Sequence, residues 1–293
     1  MWKILKEQKA DYYYVRMRAY LHLIPYLVAK RTGGKFIQAI AQDLDVLSFR
    51  EKFKYDYKTN FNLFRFFTVF LPNDLVHNYL LRKSNYVVLQ HSGQKLQPGS
   101  VGGKIVIFPN IIDCTKFSIV KNNFKNYFVY VGTLTLLKGA DNLYQLIKMI
   151  DKKYTIMIIG QPCDSRSKKI LEQINKIENV VIKGRLSHNE TIQLIANAKA
   201  LINTSNYEGF PNVFLEAWAT GVPVISLKVN PGNVFNKYNL GVCCESDLKK
   251  MKTCIESDEI AGINKERLIS YVHEFHDCNS AGERFLNLIH SDS

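Results

Sequence analysis

From residue 126 onwards, short apolar runs alternate with amphipathic stretches. YFVYVG, TIMIIG, VVIKG, LINTS and VPVISL are rich in β-branched and aromatic residues and mostly end at a glycine or a polar turn. Such runs predict strands covered on both faces. Between them, GADNLYQLIKMI, SKKILEQINKI and NETIQLIANA repeat apolar positions at three- and four-residue spacing, which predicts helices. The alternation predicts a doubly wound α/β domain with a parallel sheet. Further helical patterns cover 248–254, 265–275 and 281–290.

The first 110 residues are less regular. DYYYV, KFIQAIAQ, NYVVLQ and IVIFPN read as strands, the last ending at Asn110, with helices around 17–31 and 60–83. Residues 48–72 mix aromatics with Arg50, Lys52, Lys54, Lys58 and Arg65. Phe61, Phe64, Phe67 and Leu71 recur at helical spacing, which fits a core-facing stripe. Basic residues among aromatics also fit a surface lying on an anionic bilayer. Both readings stand at this stage.

Chemistry concentrates in LINTSNYEGFPNVFLEAWATGVPVISL, residues 201–227. A strand and a polar loop lead to a helix entered at Pro211 and stopped at Gly221, with proline at the first helical position and glycine past the last. Glu208 sits in the loop and Glu216 lies about two turns on. A helix N-terminus offers unpaired N–H groups to a phosphate. A carboxylate accepts both hydroxyls of a vicinal diol. Phosphate plus diol describes a sugar nucleotide.

The string Glu208, Gly209, Phe210, Pro211, Asn212, Val213, Glu216, Ala217, Gly221, Pro223, Val224 resembles the Glu-x7-Glu motif of family 4 glycosyltransferases. The resemblance implies the GT-B fold, two facing Rossmann-like domains with parallel sheets. It implies a partial acceptor-side domain at 1–110, a nucleotide-sugar domain at 111–275, and a C-terminal helix at 276–293 packing back on the first domain. By the same resemblance Glu216 accepts the ribose hydroxyls, Glu208 lies near the donor hexose, and N–H groups of Gly209, Phe210, Asn212 and Val213 meet hexose and diphosphate. Lys138 neutralises the leaving diphosphate. Gly132 and Thr133 border the phosphates, while Arg185 and Leu186 lie near the base.

The chain departs from that family in several places. Thr133 stands where many members carry an arginine, with Arg185 a candidate substitute. Gln42 and Asp43 follow KFIQAI where a histidine is common; Asp43 reads as an acceptor contact or as a turn former. PNIID has Ile111 for the usual glycine. The opening MWKILKEQKADYYYVR resembles a later helix and strand of the first domain, so its first one or two βα units are expected to be absent, in a short protein or a fragment.

Formal net charge is +13, which suits a polyanionic partner. RNP, KH and zinc-finger patterns are missing, which argues against nucleic acid. The six cysteines form no CxxC or Cys/His metal spacing, so reduced thiols are expected. There is no EF-hand loop, and neither metal nor cofactor is expected. A carboxylate pair also serves glycoside hydrolysis, but Glu216 is better explained by a diol.

The combined expectation is a retaining hexosyltransferase moving sugar from a nucleoside diphosphate to a glycan or lipid-linked acceptor in bacterial surface polysaccharide synthesis. It would be cytoplasmic, on the inner face of the plasma membrane. The alternative is a non-catalytic nucleotide-binding remnant or scaffold.

Overall fold

A computed structural model describes residues 2–60, 62–117, 126–257 and 259–290, without the side chains of 56–60. The chain divides into two compact units. One comprises Met1–Pro109, Glu208–Phe210 and Glu283–Ser293; the other, Asn110–Tyr207 and Pro211–Gly282.

In the first unit four parallel strands lie in chain order: β1 (Tyr12–Arg16), β2 (Lys35–Ala39), β3 (Tyr86–Leu89) and β4 (Lys104–Ile107). β2 and β3 are almost wholly buried. The C-terminal helix Ala281–His290 reaches this sheet through Phe285, whose ring lies 5.0 Å from Phe108. The Tyr86 hydroxyl donates to the Ile289 carbonyl at 2.9 Å.

The aromatic stretch forms a helix at Phe49–Asn60 and then a continuous helical rod. The rod runs from Leu63–Arg65 through a π-helical turn at Phe66–Phe70 into Leu71–Lys83. The rings of Phe49, Phe53, Phe66 and Phe70 pack on one another at 5.3–6.3 Å. The expected core stripe is therefore displaced. Phe64 is 77% exposed and Phe67 58%, while Phe70 is buried. A π turn holds more residues than an α turn, so a stripe extrapolated at α spacing through it rotates off the core. Phe61 lies outside the described residues.

Beneath the rod is a buried ionic cluster. Lys52 Nζ lies 2.9 Å from Asp74 Oδ1, Arg18 Nη1 reaches the same oxygen at 3.3 Å, and the Asn78 amide donates to Oδ2 at 2.9 Å. His77, beside them, is 1% exposed. Burial, then the charges of Lys52 and Arg18, lower its pKa to about 3.

The second unit carries six parallel strands: β5 (Tyr127–Val131), β6 (Thr155–Ile159), β7 (Val180–Gly184), β8 (Ala200–Asn203), β9 (Val224–Ser226) and β10 (Gly241–Cys243). Their order is β10-β9-β8-β5-β6-β7. Helices Ala140–Met149 and Leu248–Glu256 join the apolar cluster around β5, β6, β8 and β9.

The helix Asn212–Ala219 buries Phe214, Leu215, Ala217 and Trp218 completely. The Trp218 ring packs edge-on against Tyr271 at 5.6 Å, and its N–H donates to the Leu240 carbonyl at 2.9 Å. The helix ends in a Schellman motif: Val222 N–H donates to Ala217 O at 2.8 Å and Gly221 N–H to Trp218 O at 2.9 Å. Gly221 has φ +72°, a left-handed conformation that favours glycine. At the other end Pro211 (φ −65°, ψ 124°) is the cap, and Asn212 is the first helical residue. The proline φ suits either role; its extended ψ moves the helix start on by one residue. Among the described residues no helix is long and apolar enough to cross a membrane.

Candidate functional site

In a parallel sheet all carboxyl ends share one edge, and ligands bind where the strand order reverses. Here the reversal falls between β5 and β8, which pair directly. The loops following these strands carry the polar residues expected to act.

The loop after β5 is pinned by the loop after β8. The Thr204 hydroxyl donates to the carbonyls of Gly139 (2.9 Å) and Lys138 (3.3 Å), and the Tyr130 hydroxyl also reaches Lys138 O at 3.3 Å. Asn206 donates its backbone N–H to Leu137 O at 2.9 Å and its amide to Leu136 O at 2.8 Å. Lys138 N–H donates to Thr135 Oγ1 at 3.0 Å. Gly139 has φ +68°, and a Cβ there would fall on the Thr204 carbonyl. The Lys138 backbone is thus fixed from both sides, with its side chain half-buried. Tyr130, Thr204 and Asn206 were not singled out from sequence; the polar run NTSN directly after a buried strand was the available signal.

Gly132 follows β5, its N–H donating to Ile159 O at 3.0 Å, and Thr133 is exposed beside it. Gly184 (φ +66°), the last residue of β7, turns the chain into exposed Arg185 and half-buried Leu186. The helix His188–Ala196 follows, with a reciprocal capping box between Ser187 and Glu190.

Its first residue, His188, places Nε2 3.0 Å from Glu216 Oε1; the Glu216 side chain is 16% exposed. Glu216 stands on the least buried side of a helix otherwise sunk in the core, so the packing of Trp218 and Phe214 sets where its carboxylate points. Asn212 is exposed and Val213 half-buried in the first turn, and Pro211 supplies no capping side chain. Lys138, Glu216 and the helix start thus all lie on loops or helices beyond the carboxyl ends of β5, β7 and β8.

Glu208, Gly209 and Phe210 belong to the first unit, and all three are buried. Phe210 N–H donates to Gln90 Oε1 at 2.7 Å. A Cβ on Gly209 would meet that same oxygen and come within 2.5 Å of the Ala41 carbonyl. The Phe210 N–H, expected to face the donor, is engaged by Gln90 here.

Gln90 is held in turn: its N–H donates to Gln94 Oε1 at 2.7 Å, and Gln94 Nε2 donates to Asp43 Oδ1 at 3.0 Å. His91 Nδ1 accepts from Gly93 N–H at 3.1 Å, so Nε2 carries the proton and donates to Asp43 Oδ1 at 3.0 Å. Asp43 N–H reaches Glu208 O at 3.3 Å. Asp43 is therefore the hub of a network supporting the Glu208–Phe210 tripeptide, at the start of the short 3-10 turn Asp43–Val46. Gln42 caps that turn and is half-buried.

One group of metal-ligating types occurs among the described residues: Cys114, His273 and Asp277, with ligand atoms within 4.8 Å of one another. Burial, then the Asp277 carboxylate, push the Cys114 thiol up to about 12. Of the three, Cys114 is buried, Asp277 half-buried and His273 exposed.

Residues 112–256 match the family model for glycosyl transferases group 1. An uncharacterized glycosyltransferase of Methanocaldococcus jannaschii is 24% identical over 177 residues, covering 54% of this chain and 43% of its own length. An uncharacterized 41.2 kDa protein in the cps region of Klebsiella pneumoniae is 36% identical over 102 residues, 34% of this chain and 27% of that one. The chain thus matches less than half the length of either relative. Among solved structures, Anabaena HepE in complex with UDP and glucose aligns with a TM-score of 0.72 over 99% of this chain and 80% of that one. At 15% identity that likeness establishes the fold, which is GT-B. The segment from 112 to 256, bearing the loops just described, belongs to the glycosyl transferases group 1 family.

Proposed function

We propose that this chain is a glycosyltransferase that binds a nucleoside diphosphate sugar through the second unit and passes the hexose, with retention, to a glycan or lipid-linked acceptor. The observation that carries the reading is the placement of Lys138 and Glu216 beyond the strand ends at the reversal of strand order. Glu216 accepts the ribose diol. The first-turn N–H groups of Asn212 and Val213 receive the diphosphate, favoured by the helix dipole. Lys138 stabilises the charge that grows on the diphosphate as the glycosidic bond breaks, in place of a bound cation. Glu208 accepts hydroxyls of the hexose, and Arg185 and Leu186 border the base. Gly132 leaves room for the phosphates, and Thr133 adds a hydroxyl.

HepE was solved with UDP and glucose, which supports a sugar nucleotide as the ligand class. The Klebsiella relative lies in a cps region, which supports a setting in surface polysaccharide assembly. Incubation with UDP-, GDP- or ADP-hexose and a membrane extract as acceptor source should release the nucleoside diphosphate and label the acceptor. Release from none of them would contradict catalysis.

Thr133 favours one second reading, a nucleotide binder that does not turn over. A threonine brings no charge to a diphosphate where an arginine would. Nucleotide binding without product release in the same incubation would select it.

A further inference from the structure

We propose that Cys114, His273 and Asp277 form a zinc site that staples the opening stretch of the second unit to its closing one. All three belong to that unit. Cys114 begins the short 3-10 turn Cys114–Lys116, while His273 lies in the last turn of the helix Lys265–His276 and Asp277 caps that helix. Their sulfur, ring nitrogen and carboxylate oxygen lie within 4.8 Å of one another. Zinc bonded to such a set at about 2.0–2.3 Å holds the three atoms roughly 3.3–3.6 Å apart. A side-chain adjustment closes the difference, because His273 is exposed and its ring hydrogen-bonds to none of the described residues. The ligands are remote in the chain, so no sequence spacing announces them.

Backbone pairing already holds the two stretches together. Ile112 and Asp277 form a parallel bridge, in which Ile112 N–H donates to His276 O at 2.9 Å and Cys278 N–H to Ile112 O at 3.0 Å. The neighbouring His276 is engaged elsewhere: its ring nitrogens pair with Asn110 O at 2.7 Å and the Tyr271 hydroxyl at 3.2 Å. His273 is therefore the nitrogen ligand. Thiolate, imidazole and carboxylate together suit zinc, whereas magnesium and calcium take oxygen ligands. Without metal, the Cys114 thiol is hydrogen-bonded to the Asp277 carboxylate. The cation takes the place of the thiol proton, which leaves to solvent. The group also sits at a helix C-terminus, whose partial negative charge favours a cation. Water fills the fourth position on the exposed side.

The test is zinc binding by the purified chain, free of any affinity tag, reduced and stripped with a chelator. Zinc chloride is titrated in against a chromogenic chelator, and one equivalent should bind. Cys114→Ser and His273→Gln should each weaken binding by on the order of tenfold or more, since even partners outside the ligand shell cost that much. Cys163→Ser, which removes an exposed thiol, should change nothing. Zinc should raise the Tm of the parent and raise it less in the two ligand variants. His273 is exposed, so His273→Gln keeps the test open if the buried Cys114→Ser fails to fold. As a second readout, cobalt(II) should give a thiolate-to-cobalt charge-transfer absorption that His273→Gln weakens and Cys114→Ser removes. Less than one equivalent bound, or binding unchanged in both ligand variants, would overturn the proposal. Zinc lost with Cys163→Ser would mark an adventitious ion on a surface thiol and overturn it equally. Because no nucleotide or sugar transfer is measured, the outcome is independent of the catalytic reading.

Discussion

His188 Nε2 lies 3.0 Å from Glu216 Oε1, so the carboxylate assigned to the ribose is held by the first residue of a neighbouring helix. The pair fixes one oxygen of Glu216 and orients the other. Glu216→Ala should weaken nucleoside diphosphate binding by roughly 1.5–3 kcal/mol, as for hydrogen bonds to a charged group. His188→Ala should weaken it less, by about 0.5–1.5 kcal/mol. The double variant should bind no worse than Glu216→Ala, since the histidine acts through the glutamate. Additive losses in a calorimetric cycle would show that His188 touches the nucleotide itself.

Lys138 should matter more for turnover than for binding. Its loop is fixed by Thr204, Tyr130 and Asn206, so Lys138→Ala removes charge and leaves the backbone in place. A fall in kcat of about 10²–10³ is expected, comparable to losing one transition-state donor, with a smaller change in KM. Steady-state kinetics with the preferred donor would measure it; a rise in KM at unchanged kcat would assign Lys138 to ground-state binding.

Gln90→Ala should destabilise the fold by about 1–3 kcal/mol, because it leaves the buried Phe210 N–H without its acceptor. Gly209→Ala should do at least as much, since its methyl meets Gln90 Oε1 and the Ala41 carbonyl. Urea unfolding of both variants would check this. If Gln90→Ala unfolded like the parent, the bond would carry no net stability.

Acid should destabilise the first unit through His77. Its pKa is lowered to about 3 from 6.5, by burial and by Lys52 and Arg18. Below pH 6.5 the unfolded chain takes up a proton that the folded chain refuses. Stability therefore falls as pH drops from 6.5 toward 3, at up to about 1.4 kcal/mol per pH unit from this group. Asp45 works the other way in the acid range, because burial raises its pKa above 3.8. His77→Leu should flatten the stability profile between pH 6.5 and 4; an unchanged slope would remove His77 as its source.

The second unit was legible because its strands are short apolar runs closed by glycine or polar turns, and its helices carry clear periodicity. The strand Gly241–Cys243 and the helix Val234–Tyr238 were not, being too short for a period to register. In the candidate site, the Glu208–Glu216 segment was readable as a local string. His188 was not, because in sequence it is an ordinary first-turn residue after a capping serine. Gln90 and Gln94 carry no local signal of their part, since their partners Phe210 and Asp43 are remote in the chain. Phe64 and Phe67 stand at the entry to and inside a π turn, which spacing rules built on 3.6 residues do not anticipate.

The central claim is that the second unit holds a nucleoside diphosphate against Glu216. Calorimetric titration of the purified chain with UDP, GDP and ADP, repeated on Glu216→Ala, tests it most directly. The account predicts binding of one diphosphate that is lost or strongly weakened in the variant. A well-folded chain that binds none of the three, or binds one equally well without Glu216, would contradict it.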